Sequence, residues 1–162
     1  MTESMEGIIH VRIDDRMIHG QVATQWSGRL NATRIMVIND SIMNDDMRKT
    51  VVRLAAPANV STSILGREKA LANIKSGKYK GQRVLLICVS PMDVDYLIDN
   101  GLPIKKVNVG NMAQREGTKR VRPSLNITDE ERAAFQRLID KGVEVTVIPT
   151  PQSPTVYLKD FI

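Results

Sequence analysis

The chain of 162 residues is long enough for a sizeable core, and its 42% hydrophobic and 25% charged residues are ordinary for a globular protein. Its longest apolar run, Val84-Leu85-Leu86-Ile87-Cys88-Val89, is far too short to span a membrane. The net charge of +5 raises the question of a nucleic-acid partner, but six aromatic residues and scattered lysines and arginines disfavour that class.

Strand-like and helix-like segments alternate along the chain. In chain order the pattern predicts strand 8–13, helix 21–30, strand 34–39, helix 44–55, strand 60–65, helix 67–76, strand 83–89, helix 91–100, strand 104–109, helix 128–141 and strand 143–148. The last helix opens with Thr128-Asp129-Glu130-Glu131, which has the spacing of a capping box, and stops at Gly142.

Three further segments have distinct patterns. In the second predicted helix, Met47, Val51 and Leu54 recur at helical spacing. Residues 110–126 show no periodicity, and loops of this length in compact domains are often functional. The proline-rich residues 149–154 predict an extended or turning segment, after which 155–158 could form an edge strand.

Uninterrupted apolar strands separated by amphipathic helices indicate the fold class. We expect an α/β fold with an open, mainly parallel β-sheet of six or seven strands and helices on both faces. Residues 1–162 are expected to form a single domain, with about 149–162 as an extended C-terminal tail or edge strand. Ligands gather beyond the carboxyl ends of such strands, so the loop after the first strand is the expected site.

That loop has an unusual composition. The segment Arg12-Ile13-Asp14-Asp15-Arg16-Met17-Ile18-His19-Gly20-Gln21 joins a histidine to two arginines and two aspartates. A neutral imidazole is a competent nucleophile near neutral pH, and a phosphohistidine would need guanidinium groups and backbone N–H donors beside it. The segment therefore suggests phosphorylation of His19. The residues alone leave open a solvated turn in which His19 makes only a local hydrogen bond.

Each neighbour of His19 has a role in this hypothesis. Arg16 would face the phosphoryl group, while Asp14 would either orient His19 or hold Arg16 in place. Gly20 would let the backbone approach the phosphoryl group, and amides near Gln21 would add donors. Arg12 would either reach the site or form an ordinary salt bridge. Its partner in that bridge would be Asp14 or Asp15.

The remaining candidate residues are less specific. His10 alternates with apolar residues inside the first strand and is read as structural. Arg115, Lys119, Arg120 and Arg122 form a basic cluster that could dock an acidic partner, close over the phosphoryl group or simply be solvated. The sequence has no metal-ligand spacing and no glycine-rich nucleotide motif, so neither a metal nor a free nucleotide is expected.

The first motif has a recognisable family resemblance. R-I-D-D-R-M-I-H-G-Q-V, followed by Gln25-Trp26, resembles the signature of enzyme IIB components in the mannose/fructose/sorbose family of the bacterial phosphoenolpyruvate-dependent sugar phosphotransferase system. The likeness continues over nearly the whole chain through weaker segments, namely Val37-Ile38-Asn39-Asp40, Asn108-Val109-Gly110-Asn111-Met112, Arg115-Glu116-Gly117-Thr118 and Thr128-Asp129-Glu130-Glu131.

The resemblance implies a phosphoryl carrier, a protein-N(pi)-phosphohistidine–sugar phosphotransferase. His19 would accept a phosphoryl group from the phosphohistidine of a IIA protein or domain and pass it to a sugar imported by the membrane IIC and IID components. Asp14, Arg16 and His19 match the family pattern position by position. No cofactor is expected. The resemblance leaves open whether the chain forms a homodimer, and the sequence does not identify the sugar.

The expected location is the cytoplasm, with peripheral association with the membrane permease. Cys88 is the only cysteine and lies in an apolar run, so the chain has no intramolecular disulfide. Residues 1–6 carry acid instead of a basic segment, which predicts no secretory signal.

Two other function classes remain as alternatives. A histidine phosphatase or mutase also uses a phosphohistidine beside arginines, but it needs a second imidazole or an acid, and only His10 is available. A basic module that binds nucleic acid or protein is the less favoured alternative. It predicts salt-sensitive oligonucleotide binding that does not depend on His19.

Overall fold

A computed structural model describes residues 5–162, with side chains at all of these positions except 21 and 22. Residues 1–4, on which the expectation of no secretory signal partly rested, lie outside the described part. The strands are β1 Ile8–Asp14, β2 Arg34–Ile38, β3 Ser61–Leu65, β4 Val84–Cys88, β5 Lys106–Asn111, β6 Lys119–Arg122, β7 Leu125–Ile127 and β8 Glu144–Val147. The α-helices are α1 Gly20–Leu30, α2 Asp46–Leu54, α3 Arg67–Lys75, α4 Pro91–Asp99 and α5 Asp129–Asp140.

Six strands form one parallel sheet in the order β3-β2-β4-β1-β5-β8. Every residue of β4 is buried, as its uninterrupted apolar sequence predicts for a central strand covered on both faces. Strand β1 lies between β4 and β5, so the loop that follows it leaves the middle of the sheet. The predicted fold class is confirmed.

Helices cover both faces of the sheet. Helix α1 buries Trp26 and helix α2 buries Val52 in one apolar cluster, together with Ile35 and Val37 of β2. Helices α3, α4 and α5 pack on the other face, in the cluster that contains Ile74, Val94, Leu97, Phe135 and Leu138. Helix α5 begins with the predicted capping box, in which the Thr128 hydroxyl accepts from the Glu131 amide and the Glu131 carboxylate accepts from the Thr128 amide.

The predicted long loop at 110–126 is partly wrong, because much of it is ordered as strand. Strand β5 continues to Asn111, and β6 and β7 form a separate antiparallel hairpin. The hairpin is tied to the end of β5, since the Met112 amide donates to Ser124 O and Met112 O accepts from the Asn126 amide. Only Leu125 and Ile127 of the hairpin are fully buried, so its sequence carries little strand periodicity.

The C-terminal segment does not add the predicted strand at 155–158. It makes one isolated antiparallel bridge, between Thr146 and Tyr157, and then a short 3-10 helix, Leu158–Asp160. Pro151 and Pro154 lack amide protons and cannot take part in a continuous ladder, which accounts for the interrupted pairing.

Helix α2 forms as predicted, but its regularly spaced apolar residues face solvent. Met47, Val51 and Leu54 are 79%, 61% and 80% exposed. The helix packs on the sheet through Val52, the one residue of α2 that is fully buried. Across residues 5–162, no helix has the length and apolar character needed to cross a bilayer.

Candidate functional site

The segment between β1 and α1 lies at the carboxyl edge of the sheet, between the ends of two neighbouring strands. Helix α1, which follows it, packs on one face of the sheet, whereas α4, which follows the adjacent β4, packs on the other face. Connections that depart to opposite faces leave a crevice between them, which is where α/β sheets usually bind ligands. The topology therefore places residues 14–20 at the expected position.

The carboxylate of Asp14 is the most connected group in this crevice. It is 1% exposed, and its Oδ1 accepts from the amide nitrogen of Arg16 at 3.0 Å and from Nε of Arg16 at 2.9 Å. Its Oδ2 accepts from Nη2 of Arg16 at 2.8 Å and from Nη2 of Arg12 at 3.2 Å. Both oxygens are thus used by two guanidinium groups, and the described residues include no hydrogen bond between Asp14 and His19.

Arg12 is a buried support of the crevice. It is 2% exposed, and its guanidinium lies over the ring of Trp26, with 5.3 Å from Cζ to the ring centroid. Pro149 O accepts from Arg12 Nη2 at 3.1 Å and from Trp26 Nε1 at 3.0 Å. Burial lowers the pKa of Arg12, and the neighbouring carboxylate offsets part of that effect. Of the two expected roles, the salt bridge is the one observed, and its partner is Asp14.

Arg16 is the more accessible of the two arginines. Its side chain is 32% exposed, and hydrogen bonding to Asp14 raises its pKa against the opposing effect of burial. The two bonds to Asp14 use Nε and Nη2 of the guanidinium. No acceptor within residues 5–162 is assigned to Nη1, so this edge of the guanidinium can take a further oxygen ligand.

His19 is exposed and immediately precedes the first turn of α1. It is the N-cap residue, in an extended conformation with φ −114° and ψ 115°, and its side chain makes no capping hydrogen bond. Its carbonyl accepts the first helical hydrogen bond, from the Ala23 amide at 2.8 Å. The preceding amides of the first turn have no acceptor within a helix, and no acidic residue lies in that turn. An exposed imidazole therefore stands beside an open, electropositive helix end.

The conformation of the loop is fixed by two buried residues. Met17 has φ 66°, in the left-handed region that non-glycine residues rarely adopt, at a cost of about 1 kcal/mol. Its side chain is 2% exposed, and Ile18 beside it is 5% exposed, within the apolar cluster under α1. Packing of these two side chains offsets the strain and holds His19 on the outside of the loop.

Asp15 connects the loop to the end of β5 instead of contacting an arginine directly. Its Oδ1 accepts from Asn111 Nδ2 at 2.9 Å, and its Oδ2 accepts from the Ala113 amide at 2.7 Å. The Asp15 amide also donates to Asn111 O at 3.1 Å. The structure thus joins Asp15 to a segment about a hundred residues away, in a supporting position.

Gly20 has open space around it. A β-carbon at this position would meet no atom within 4 Å, so the fold itself does not require glycine here. The side chain of Gln21, the last of the expected supporting residues, lies outside the described part. The cavity between Arg12, Asp14, His19 and Trp26 has a volume of only about 10 Å³, close to that of one water molecule. A sugar does not fit inside it.

The comparisons with known proteins agree with one another. Residues 8–162 match the family model described as PTS system sorbose subfamily IIB component. The chain is 37% identical over 158 residues to the fructose-specific EIIB component of Bacillus subtilis, covering 98% of this chain and 95% of that protein. It superposes with a TM-score of 0.90 on the crystal structure of the IIBSor domain of the sorbose permease from Klebsiella pneumoniae, at 35% identity over 94% of each chain.

The chain belongs to the sorbose subfamily of phosphotransferase-system IIB components. It is also 37% identical over 151 residues to the mannose-specific EIIAB component of Escherichia coli, covering 93% of this chain but 47% of that protein. The chain thus spans about half the length of that curated relative. The family expected from the first motif is confirmed.

In this IIB component the basic cluster at 115–122 divides into anchored and free side chains. Arg115 binds the carboxylate of Glu131 through two hydrogen bonds of 3.2 and 3.0 Å, and Arg122 lies over the ring of Phe161. Lys119 and Arg120 are exposed on the hairpin. Arg115 therefore fastens the hairpin to α5 through Asn126 O and Glu131, whereas Lys119 and Arg120 have no such anchoring contact within residues 5–162.

His10 has a structural position, in agreement with its predicted role. Its ring stacks on Trp26, with 5.1 Å between centroids, and its Nε2 is buried without a hydrogen-bond partner among the described residues. Burial, with a smaller contribution from the charge of Arg12, lowers the pKa of His10 from 6.5 to about 4. A buried neutral imidazole of this kind packs like an apolar ring.

Three residues of the site could not be assigned from their own sequence context. Trp26, Gly110 and Pro149 surround Arg12 from a helix, a strand and the tail. The family likeness of Gln25-Trp26 and of residues 108–112 was the only signal for the first two, and Pro149 had none. Within residues 5–162 there is no group of three or more His, Cys, Asp or Glu side chains that could hold a metal ion.

Proposed function

We propose that this IIB component is a phosphoryl carrier whose reactive residue is His19. It would accept a phosphoryl group from the phosphohistidine of a IIA protein or domain and transfer it to a sugar delivered by membrane IIC and IID components. The corresponding enzyme class is protein-N(pi)-phosphohistidine–sugar phosphotransferase. The working location is the cytoplasmic side of the membrane, in peripheral contact with the permease.

The observation that carries the proposal is the exposed imidazole of His19 at the open N-terminus of α1, on the loop that the arginine-bound Asp14 supports. A phosphoryl group on this ring would carry negative charge next to first-turn amides that have no acceptor within the helix. Arg16 adds a guanidinium whose Nη1 edge is unused, and its two bonds to Asp14 hold that guanidinium in a fixed orientation.

The first transfer exchanges one P–N bond for another. A ring nitrogen of His19 attacks the phosphorus in line with the donor imidazole, and the bond from phosphorus to the donor breaks as the new bond forms. The released donor imidazole takes up a proton in exchange for the one that the His19 ring gives up. The chain contributes positioning and electrostatic stabilisation of the phosphoryl oxygens, through Arg16 and the helix amides.

The second transfer exchanges the P–N bond for a P–O bond. A sugar hydroxyl attacks the phosphorus on His19, the P–N bond breaks, and the hydroxyl proton ends on the released imidazole. The cavity beside His19 has a volume of only about 10 Å³, which is too small to hold a sugar and supports a division of labour. The sugar pocket would therefore belong to the permease, against which the exposed His19 is presented.

The test uses radiolabelled phosphoenolpyruvate, the general phosphotransferase proteins and the IIA partner of the same transport system. The wild-type chain should acquire acid-labile, base-stable label, and His19→Ala should acquire none. The control is His10→Phe, which keeps an aromatic ring against Trp26 and should be labelled at the wild-type rate. Label that persists on His19→Ala would contradict the proposal.

A second measurement separates this proposal from the phosphatase alternative. The wild-type chain is incubated with free phosphate monoesters in the absence of protein partners. We expect no turnover, because the one acid among the described residues that lines the cavity with His19 is Asp14, and both of its oxygens already accept hydrogen bonds from Arg12 and Arg16. Turnover of a free ester that disappears in His19→Ala would favour the phosphatase over the carrier.

A further inference from the structure

The proposed site is assembled from two parts of the chain, which Met17 and Ile18 connect. His19 is the N-cap of α1, so its imidazole and the amides of the first turn move together with that helix. Arg16 belongs to the other part, because Asp14 at the end of β1 holds its guanidinium through bonds of 2.9 and 2.8 Å. A phosphoryl group on His19 would meet Arg16 in a productive geometry only if α1 is fixed relative to β1.

Trp26 packs helix α1 directly onto strand β1. Among the described side chains of α1, Ala23, Trp26 and Ser27 are buried, and Trp26 is the largest of them. Its ring stacks on that of His10, with 5.1 Å between centroids, and its centroid lies 5.3 Å from Cζ of Arg12. His10 and Arg12 are two residues apart in β1 and therefore lie on the same face of the sheet. The indole thus contacts the strand at two successive positions of that face.

The indole N–H links the helix to the guanidinium groups of the site. Trp26 Nε1 donates to Pro149 O at 3.0 Å, and the same carbonyl accepts from Arg12 Nη2 at 3.1 Å. Arg12 Nη2 also donates to Asp14 Oδ2 at 3.2 Å, and that oxygen accepts from Arg16 Nη2 at 2.8 Å. A continuous set of hydrogen bonds therefore runs from the indole of α1 to the guanidinium of Arg16.

The carbonyl that Trp26 and Arg12 share is itself held in place. Asn108 is 3% exposed and binds Ile148, the residue before Pro149, through two hydrogen bonds. Asn108 Nδ2 donates to Ile148 O at 2.9 Å, and the Ile148 amide donates to Asn108 Oδ1 at 2.8 Å. These bonds fix the course of the chain as it enters Pro149. The carbonyl is thus a fixed reference point for the indole N–H and hence for the position of α1.

Trp26 lies close to the reacting residue but is closed to a docking protein. It lines the cavity of about 10 Å³ together with His19, and it is 6% exposed. A buried indole N–H usually finds some acceptor, so its bond to Pro149 would be ordinary if it stood alone. What points to a role in the reaction is that the acceptor and the ring face are both shared with Arg12.

We propose that Trp26 is a positioning residue for phosphoryl transfer. It holds His19 and the first-turn amides at a fixed distance from the guanidinium of Arg16, so that the two parts of the site bind the same phosphoryl group. This inference rests on the proposed function of His19. A misplacement of about 1 Å can slow a reaction about 100-fold. Trp26 should therefore affect the maximal rate of transfer and not the binding of the donor.

The first experiment measures labelling of the chain by phospho-IIA at increasing donor concentrations, under conditions in which each variant is folded. Trp26→Leu removes the ring and its N–H, and should lower the maximal rate about 10- to 100-fold. Trp26→Phe keeps a ring over Arg12 without the N–H, and should be intermediate, about three- to tenfold below the wild type. The donor concentration for half-maximal rate should stay within about twofold in both variants, because the buried side chain does not contact the donor.

Two variants control for loss of stability. Ile64→Ala opens a cavity in the apolar cluster that contains Trp26, but β2 and β4 separate β3 from β1. Ser27→Ala removes a buried hydroxyl of α1 that donates to Thr24 O within the same helix, at 3.2 Å. Ile64→Ala should be clearly less stable than the wild type. Both controls should nevertheless be labelled within about twofold of the wild-type maximal rate, since neither changes a contact of Arg12.

A double-mutant cycle identifies the group through which Trp26 acts. If Trp26 serves to place Arg16, its substitution has little further effect once Arg16 is truncated. Trp26→Leu with Arg16→Ala should therefore be labelled within about threefold of the rate of Arg16→Ala alone, and not at the product of the two single losses. The same cycle is run with Trp26→Phe if Trp26→Leu does not fold.

Four outcomes would overturn the inference and leave the proposed function intact. A wild-type maximal rate in the folded Trp26 variants would show that this placement is not needed. Equal slowing in Ile64→Ala would make Trp26 a general stabilising residue. A raised half-saturating donor concentration at an unchanged maximal rate would assign Trp26 to donor binding. Multiplicative losses with Arg16→Ala would exclude Arg16 as the group that Trp26 places. Absence of label on the wild-type chain would remove the proposed function together with this inference.

Discussion

The guanidinium of Arg12 lies against Gly110 at the place where a β-carbon on that residue would stand. Trp26 also contacts the guanidinium, with its ring centroid 5.3 Å from Cζ. Arg12 therefore cannot move away from an added side chain without losing its contact with the ring or its salt bridge to Asp14. Arg12 can thus be buried only because Gly110 of β5 has no side chain.

Gly110→Ala should therefore destabilise the chain. Overpacking usually costs 1–3 kcal/mol, and partial loss of a buried ion pair adds to it, so we expect about 2–4 kcal/mol in urea unfolding. Gly20→Ala is the matched control, because a β-carbon there meets nothing within 4 Å. It should change the free energy of unfolding by less than about 0.5 kcal/mol. Equal losses for the two variants would contradict the packing around Arg12.

Gly20→Ala should nevertheless slow phosphoryl transfer. A methyl group at the first residue of α1 would stand beside the amides that we expect to receive the phosphoryl oxygens. The expected result is a folded protein whose labelling rate at saturating phospho-IIA is lowered about tenfold, or about 1.4 kcal/mol in the barrier. A wild-type rate would mean that the open space at Gly20 is not used in the transfer.

The charge of Asp14 should be essential for stability because it balances a buried guanidinium. In Asp14→Asn, Arg12 keeps its positive charge at 2% exposure without a carboxylate, and breaking a buried pair in this way costs about 3–5 kcal/mol. In the double variant Asp14→Asn with Arg12→Met, the uncompensated charge is gone. Its unfolding free energy should be higher than the sum of the single effects predicts, by about 1–3 kcal/mol. Additive losses would show that the two residues are not coupled.

Sequence patterns predicted the elements that carry their own periodicity and failed where burial depends on distant residues. The position of His19 after β1 followed from local features, namely an apolar strand, a charged turn and a helix. The helical spacing of α2 was equally clear, but a spacing shows which residues share a face and not which face is covered. The helical spacing of Leu54 and its two partners therefore could not show that all three are exposed.

The surroundings of Arg12 show the same limit. A charged residue is almost never fully buried unless it is paired, and nothing near Arg12 in the sequence indicates that it is enclosed. Its enclosure comes from Trp26, Gly110 and Pro149, of which the last is 137 residues away. The hairpin was missed for a related reason, since β6 begins with exposed Lys119 and Arg120 and has few inward-facing residues.

Arg16 should matter for activity more than for stability. Its side chain is 32% exposed, so Arg16→Ala should lower the free energy of unfolding by only about 1 kcal/mol. A charge-assisted hydrogen bond contributes about 1.5–3 kcal/mol, so loss of one to the phosphoryl group should slow transfer about 10- to 100-fold. Arg16→Lys keeps the charge but not the fork that binds both oxygens of Asp14, and should be intermediate. Unfolding of Arg16→Ala under native conditions would instead make this residue structural.

His10 should make the fold sensitive to mild acid. Its pKa is lowered from 6.5 to about 4 in the folded chain, so between these values the unfolded chain binds a proton that the folded chain does not. The free energy of unfolding should therefore fall as the pH drops from about 6.5 to 4. The size of this effect is at most about 3 kcal/mol, from 1.36 kcal/mol for each unit of pKa.

The measurement compares urea unfolding of the wild type and His10→Phe at several pH values in this window. Phenylalanine can stack on Trp26 as His10 does but does not titrate. Carboxylates such as Asp95 lose their native hydrogen bonds with Arg137 and Lys141 in both proteins as the pH falls, so the difference between the two curves isolates His10. An NMR titration of the His10 ring should give a midpoint near 4. If the two proteins instead gave parallel stability curves and the NMR midpoint of His10 lay near 6.5, water would reach the imidazole.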